Sequence, residues 1–285
     1  MRDRYTSPAG MTDAGEHRDL LVALPTDANA LAAVGHGLLM HEFHAWAYGT
    51  SFTEETRMTV HLRPVSRLLD AVLAHSREPL ATPRPPEQRV AVNCRHFTVL
   101  FVAALRAHGV PARARCGFGG YFLPGFFEDH WVAEYWTGSE WRLVDAQIDD
   151  TQRGYLPIDI DVTNVPRDRF LVGGDAWRQY RAGDLPEEKC GLSITKESGA
   201  WWIASNVMRD AAALMKIELL PWDEWGAMPA PEEPVVGELA ELIDELAAAT
   251  THPELAGLDE LMTDPRLRVP SMVRNAPLGR EEAFF

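Results

Sequence analysis

The run NCRHFTVLFVAALRAHGVPAR, residues 93–113, constrains this chain more than any other stretch. A small polar residue opens it, an apolar body follows, His108 falls in its last turn, and Gly109 and Pro111 close it. That punctuation predicts one helix starting at Asn93 and stopping at Gly109. Cys94 then lies in the first helical turn. From Ala112 to Phe118 the residues read as a strand, and Gly117 to Gly125 (GFGGYFLPG) as a loop rich in glycine and aromatics. Two alternating runs come next, HWVAEYW and WRLVDAQ, joined by Thr137, Gly138, Ser139 and Glu140, which predicts a β-hairpin.

The hairpin carries its own geometry. With the turn centred between Gly138 and Ser139, Trp136 faces Trp141 and Val132 faces Asp145. Side chains alternate along a strand, so His130 shares a face with Asp145 and lies diagonal to it, roughly 7–8 Å away between backbones. A slip of one residue would put the two on opposite faces.

Chemistry enters through the thiol. The nucleophilic form of cysteine is the thiolate, and a free thiol, with a pKa of about 8.5, is mostly protonated at neutral pH. The first turn of a helix offers unpaired N–H groups and the positive end of the dipole, and a neighbouring imidazolium favours the thiolate further. An aspartate beside that imidazole fixes its tautomer and stabilises its charge. Cys94, His130 and Asp145 are therefore the candidate catalytic set.

Elsewhere the signals are coarser. About 20 polar residues lead in. Ala28 to Tyr48 has helical spacing through Leu31, Val34 and Leu38, and Val65 to His75 is a second amphipathic piece. The Pro-rich stretch from Thr82 to Pro86 breaks the chain ahead of the helix at Asn93. A further helix is expected around Asn206 to Ile217, and Pro229 to Pro234 (PAPEEP) reads as a linker. Glu238 to Ala248 places Leu239, Leu242, Ile243 and Leu246 on one helical face, which predicts a packing helix. The expected organisation is a flexible lead-in over 1–20, a catalytic domain over 21–228 with its core motifs at 93–147, and a Pro-rich linker with a helical tail over 229–285.

A net charge of −15, from 42 acidic and 27 basic residues, argues against nucleic acid or an anionic membrane as partner. No run approaches the roughly 20 apolar residues of a membrane span, and the first residues lack the apolar centre of a secretory signal. A cytoplasmic location is expected. The cysteines are Cys94, Cys116 and Cys190, none in a C-x-x-C pair, so neither a disulfide framework nor a zinc cluster is indicated. Cys116, on a strand, and Cys190, in a polar loop, are expected to be inert. His36, His41 and His44 tempt a metal reading, but no carboxylate or cysteine ligand stands at matching spacing. The expectation is an enzyme without metal or cofactor.

Taken in order, NCRHFTVLFVAALRAHGVPARARCGF, DHWVAEYW and WRLVDAQ resemble the core of the transglutaminase-like superfamily over Asn93 to Gln147. In that family the cysteine opens a helix, a G-[IV]-P-A-R segment leads into a strand, and H-x-W-x-E with W-x-x-x-D supplies histidine and aspartate. This chain has Gly109 to Arg113 as that segment, and Trp131 and Val132 after His130 in place of the commoner order H-A-W. The resemblance implies an α+β fold of the cysteine-proteinase kind, with the catalytic cysteine at a helix N-terminus packed on an antiparallel sheet that carries histidine and aspartate. It also implies a Cys94 thioester formed from an amide or related acyl carbonyl of a peptide, protein or small molecule. Water would resolve it in an amidase or peptidase, an amine in an acyltransferase, and water is favoured because an amine needs its own binding site. The alternative is a non-catalytic interaction module that keeps the fold.

Papain-like enzymes place a side-chain oxyanion donor six residues before the cysteine, the position of Gln88 here. Tyr121, Phe122 and Trp131, close to His130, are the candidate substrate contacts, with Tyr121 and Phe122 on an aromatic wall shared with Phe126 and Phe127. Glu128 and Asp129 read as solvated charges.

Overall fold

The computed structural model describes residues 2–284 and mixes helices with sheets in an α+β arrangement. The chain forms two compact units: the chain up to Ala114 with Val132–Val165, and Arg115–Trp131 with Pro166–Phe284. Among the described residues, no helix is long and apolar enough to cross a membrane.

The first unit is built round the helix Cys94–Ala107, whose side chains are all buried. Phe97, Leu100 and Leu105 join Leu31, Leu38, Leu68, Leu69 and Val72 in one core. The helix stops where Gly109 takes φ +75°, a left-handed value open to glycine. The Val65–His75 helix runs over the expected residues. The expectation for Ala28–Tyr48 is corrected: the helix covers Ala28–Leu38 only, followed by strand β1 (Leu39–His41) and a 3-10 stretch over Glu42–Tyr48. Tertiary pairing overrides helical spacing there. β1 runs parallel to β2 (Val90–Val92), with His41 opposite Val92, and the carbonyl of Gly37 accepts from Arg84 N at 2.8 Å. Within residues 2–20, Tyr5 and Met11 are buried.

Strand β3 (Ala112–Leu123) and strand β4 (Phe126–Trp136) contribute their outer ends, Ala112–Ala114 and Val132–Trp136, to this unit. β4 pairs antiparallel with β5 (Trp141–Val144) in the register Ala133↔Val144, Tyr135↔Arg142 and Trp136↔Trp141. That is the register expected from the turn. Beside it a buried ion pair joins β3 to β4, with Arg113 Nε donating to Glu134 Oε2 at 2.6 Å, and the Arg113 guanidinium sits 4.2 Å from the Trp141 ring centre on β5. Arg113, Glu134 and Trp141 are thus the structural members of the motifs.

In the second unit β3 pairs antiparallel with β6 (Phe170–Val172), β4 pairs parallel with β7 (Cys190–Leu192), and β7 pairs antiparallel with β8 (Glu197–Ser198). The stretch expected as a glycine-rich loop is strand as far as Leu123. A side chain on Gly119 or Gly120 would collide with the rings of Phe122 or Phe127, so these glycines seat aromatic rings within a strand. Helices Gly173–Ala182, Ala200–Leu214 and Gly237–Thr251 pack on one another. The last buries Leu242, Ile243 and Leu246, with Leu239 half-buried. Arg115 anchors β3 to the middle helix through two bonds to Asp210, at 2.9 and 2.7 Å. Strands β9 (Asp223–Glu224), β10 (Met272–Asn275) and β11 (Arg280–Ala283) form a small antiparallel sheet that the spacing does not announce.

Candidate functional site

Cys94 is the first residue of its helix because Asn93 caps it. The Asn93 Oδ1 accepts from Arg95 N at 3.1 Å, and Asn93 N donates to His96 Nδ1 at 3.3 Å, a reciprocal box that satisfies backbone groups at the helix mouth. His96 Nε2 donates to the Leu62 carbonyl at 2.8 Å. Burial, with Arg95 adding to it, pushes the His96 pKa down to about 3, so its imidazole is neutral. Cys94 itself is 7% exposed. A thiol in this first turn lies where a helix favours negative charge.

Asp145 follows β5 directly and is wholly buried. Its backbone N donates to Val162 O at 2.8 Å, and its Oδ1 accepts from Gln147 N at 3.0 Å. The Gln147 side chain continues the network: its Nε2 donates to Gln152 Oε1 at 3.3 Å, Gln152 Nε2 to Tyr48 OH at 3.4 Å, and Tyr48 OH to Asp149 Oδ2 at 2.8 Å. Gln147 closes the WRLVDAQ run, but sequence spacing alone does not link it to Gln152 or Tyr48, which no motif marks.

His130 belongs to the part of β4 in the second unit, and is 3% exposed. Its ring stands edge-on to Phe122 at 4.7 Å, Tyr121 at 6.3 Å and Phe170 at 6.4 Å between centres. Tyr121 and Phe122 are therefore packing partners of the imidazole, which they hold in place. Trp131, the next residue, projects to the other face of the strand. It is buried, and among the described residues its indole N–H has no acceptor. Gln88 is exposed at the end of the turn Pro86–Gln88, with β2 between it and Cys94.

Three expectations near the site are corrected. Glu128 and Asp129 are not solvated: Glu128 Oε1 accepts from Ser193 N at 2.9 Å, and Asp129 Oδ1 from Asn206 Nδ2 at 2.5 Å. Burial raises the pKa of both carboxyls. Cys190 is not in a loop but opens β7, where burial pushes its thiol up to about 12. Cys116 is likewise fully buried. Of the early histidines, His36 Nε2 donates to the Ala146 carbonyl at 3.1 Å, while His41 and His44 pack ring on ring at 4.9 Å.

Residues 78–146 match the family model of the transglutaminase-like superfamily. The matched stretch contains Cys94, His130 and Asp145. No curated protein and no solved structure matches the chain. Transglutaminase-like domains suggest a papain-like family of cysteine enzymes, usually catalytic.

Proposed function

We propose that the transglutaminase-like stretch makes this protein a thiol enzyme acting on amide or related acyl carbonyls, with Cys94 as nucleophile, His130 as proton carrier and Asp145 as the group that orients it. The observation that carries the reading is the β4–β5 register, with Ala133 opposite Val144. Continued one residue past β5, that register would set Asp145 opposite Val132, on the face that strand alternation gives to position 130, and the capped helix mouth at Cys94 would supply the thiol.

In the first step the Cys94 sulfur attacks the acyl carbon, and the carbonyl π electrons move onto oxygen. As the tetrahedral adduct collapses, the C–N bond breaks, and the amine departs with the proton held by His130. A thioester remains. Water then gives a proton to the neutral imidazole and attacks the thioester, and the C–S bond breaks to release the acid and restore the thiolate–imidazolium pair. Asp145 stabilises the imidazolium that forms and dissolves in each half-reaction. The Cys94 backbone N–H is the natural first donor to the oxyanion, because helix-mouth amides are aimed at developing negative charge. Water is the resolving nucleophile in this reading, since hydrolysis needs no second acceptor site.

The test is labelling with iodoacetamide at mildly acidic pH, followed by peptide mapping. Cys94 is expected to react far faster than the buried Cys116 and Cys190. Equal rates at the three cysteines would remove the activated thiol.

A further inference from the structure

Two adjoining cavities open in the first unit, at the far end of the network that runs from Gln147 through Gln152 to Tyr48 and Asp149. One, of about 470 Å³, is bordered by His36, Tyr48, Arg89, Asp149 and Thr151. The other, of about 370 Å³, shares His36, Asp149 and Thr151 and adds Asp150 and Asp161. Each has the volume of a small-molecule site.

Their polar linings differ in sign. In the larger cavity, among the described residues, Arg89 ties its Nε alone to a neighbour, donating to Arg84 O at 3.0 Å, and its guanidinium lies 5.5 Å from the Tyr48 ring centre. The planar fork remains to bind a carboxylate. The second cavity is bordered by carboxylates. Asp161 is turned to its own loop, accepting from Thr163 N and Oγ1 at 2.8 Å, and the Arg153 guanidinium is held by the carbonyls of Ile158 and Ile160. Asp149 is committed to Tyr48 OH at 2.8 Å and to Gln152 N at 2.9 Å, which leaves Asp150 to face a cation. Between the two ends stands His36, whose Nε2–H is committed to the Ala146 carbonyl, so that its Nδ1 can only accept while the ring is neutral. Burial lowers its pKa and favours that neutral form.

We propose that these cavities form one bipolar cleft that binds a small zwitterion, its carboxylate on Arg89 and its ammonium on Asp150. A ligand of one sign is disfavoured because one end of the cleft would always repel it.

Binding is measured by calorimetry on the full chain carrying Cys94→Ala, so that failure of the catalytic reading leaves the result interpretable. The probes are the ω-amino acids from 4-aminobutyrate to 6-aminohexanoate, with hexanoate and hexylamine as one-ended controls. At least one zwitterion is expected to bind about tenfold or more tighter than either control, as loss of one charged anchor implies. Arg89→Gln should weaken that zwitterion about tenfold and leave hexylamine unchanged, with Arg89→Lys recovering part of the loss. Asp150→Asn should weaken the zwitterion and leave hexanoate unchanged. The cleft is overturned if no zwitterion binds below ~10 mM, if a one-ended control binds as well, or if neither substitution matters in variants whose melting temperature is intact.

Discussion

Arg113 and Arg115 leave the same strand two residues apart, and each is neutralised by a buried carboxylate, Glu134 at 2.6 Å in the first unit and Asp210 at 2.7 Å in the second. Their surroundings differ. Arg113 reaches 21 residues along the chain to a neighbouring strand, and also lies against the rings of Trp141 and Tyr5. Arg115 reaches 95 residues to a helix, and its carboxylate also accepts from Cys116 N at 2.9 Å. The first pair braces a hairpin that has other support. The second is a long-range anchor of strand to helix, in which one carboxylate satisfies both a guanidinium and a backbone amide.

Removing the anchor should therefore cost most. Asp210→Ala leaves a buried guanidinium and a buried amide without their acceptor, and a loss of about 3–5 kcal/mol is expected in urea unfolding. Glu134→Ala should cost less, about 2–3 kcal/mol, because the Arg113 cation keeps its aromatic faces. A Glu134→Ala loss that equals or exceeds that of Asp210→Ala would break the distinction between brace and anchor.

Two further effects probe the ends of the Cys94 helix in the first unit. His96 has an ordinary pKa of 6.5, lowered in the fold to about 3. The unfolded chain thus takes up a proton that the folded chain refuses. The His96 contribution is fully present above about pH 6.5 and fades as pH falls towards 3, with a slope of up to about 1.4 kcal/mol per pH unit. His96→Gln should flatten that part of the stability profile, and superimposable profiles would show that the buried cap does not titrate as described. At the other end, Gly109→Ala places a side chain at φ +75° and should cost about 1 kcal/mol in the same unfolding assay. No cost would mean that the helix stop does not depend on that conformation.

The same contrast between local and distant partners explains what could be read from the residues alone. The Cys94 helix was legible because both ends are punctuated by neighbours, Asn93 and Gly109, and the β4–β5 register because a short turn decides it. The end of the early helix at Leu38 was not, since a parallel strand some 50 residues later diverts the chain there. Glu128 and Asp129 looked solvated because their partners, Ser193 and Asn206, lie 65 and 77 residues away. Gly119 and Gly120 looked like a loop because the sequence does not say that Phe122 and Phe127 need the space. In the candidate site, position and order of Cys94, His130 and Asp145 were readable. The network from Gln147 to Tyr48 and Asp149 was not, because it joins side chains that belong to no shared spacing.

The central claim is that His130 and Asp145 act on Cys94 as one unit, and the alkylation rate of Cys94 at pH 6 tests it without any substrate. The rate constant would be compared in the native chain, His130→Ala, Asp145→Asn and the double variant, with melting temperatures as the folding control. His130→Ala is expected to lower it about tenfold or more, because the imidazolium that favours the thiolate is gone. Asp145→Asn should lower it by a smaller factor, and the double variant should be no slower than His130→Ala alone, since members of one unit do not add. Rates unchanged by either substitution, or losses that multiply in the double variant, would contradict the account.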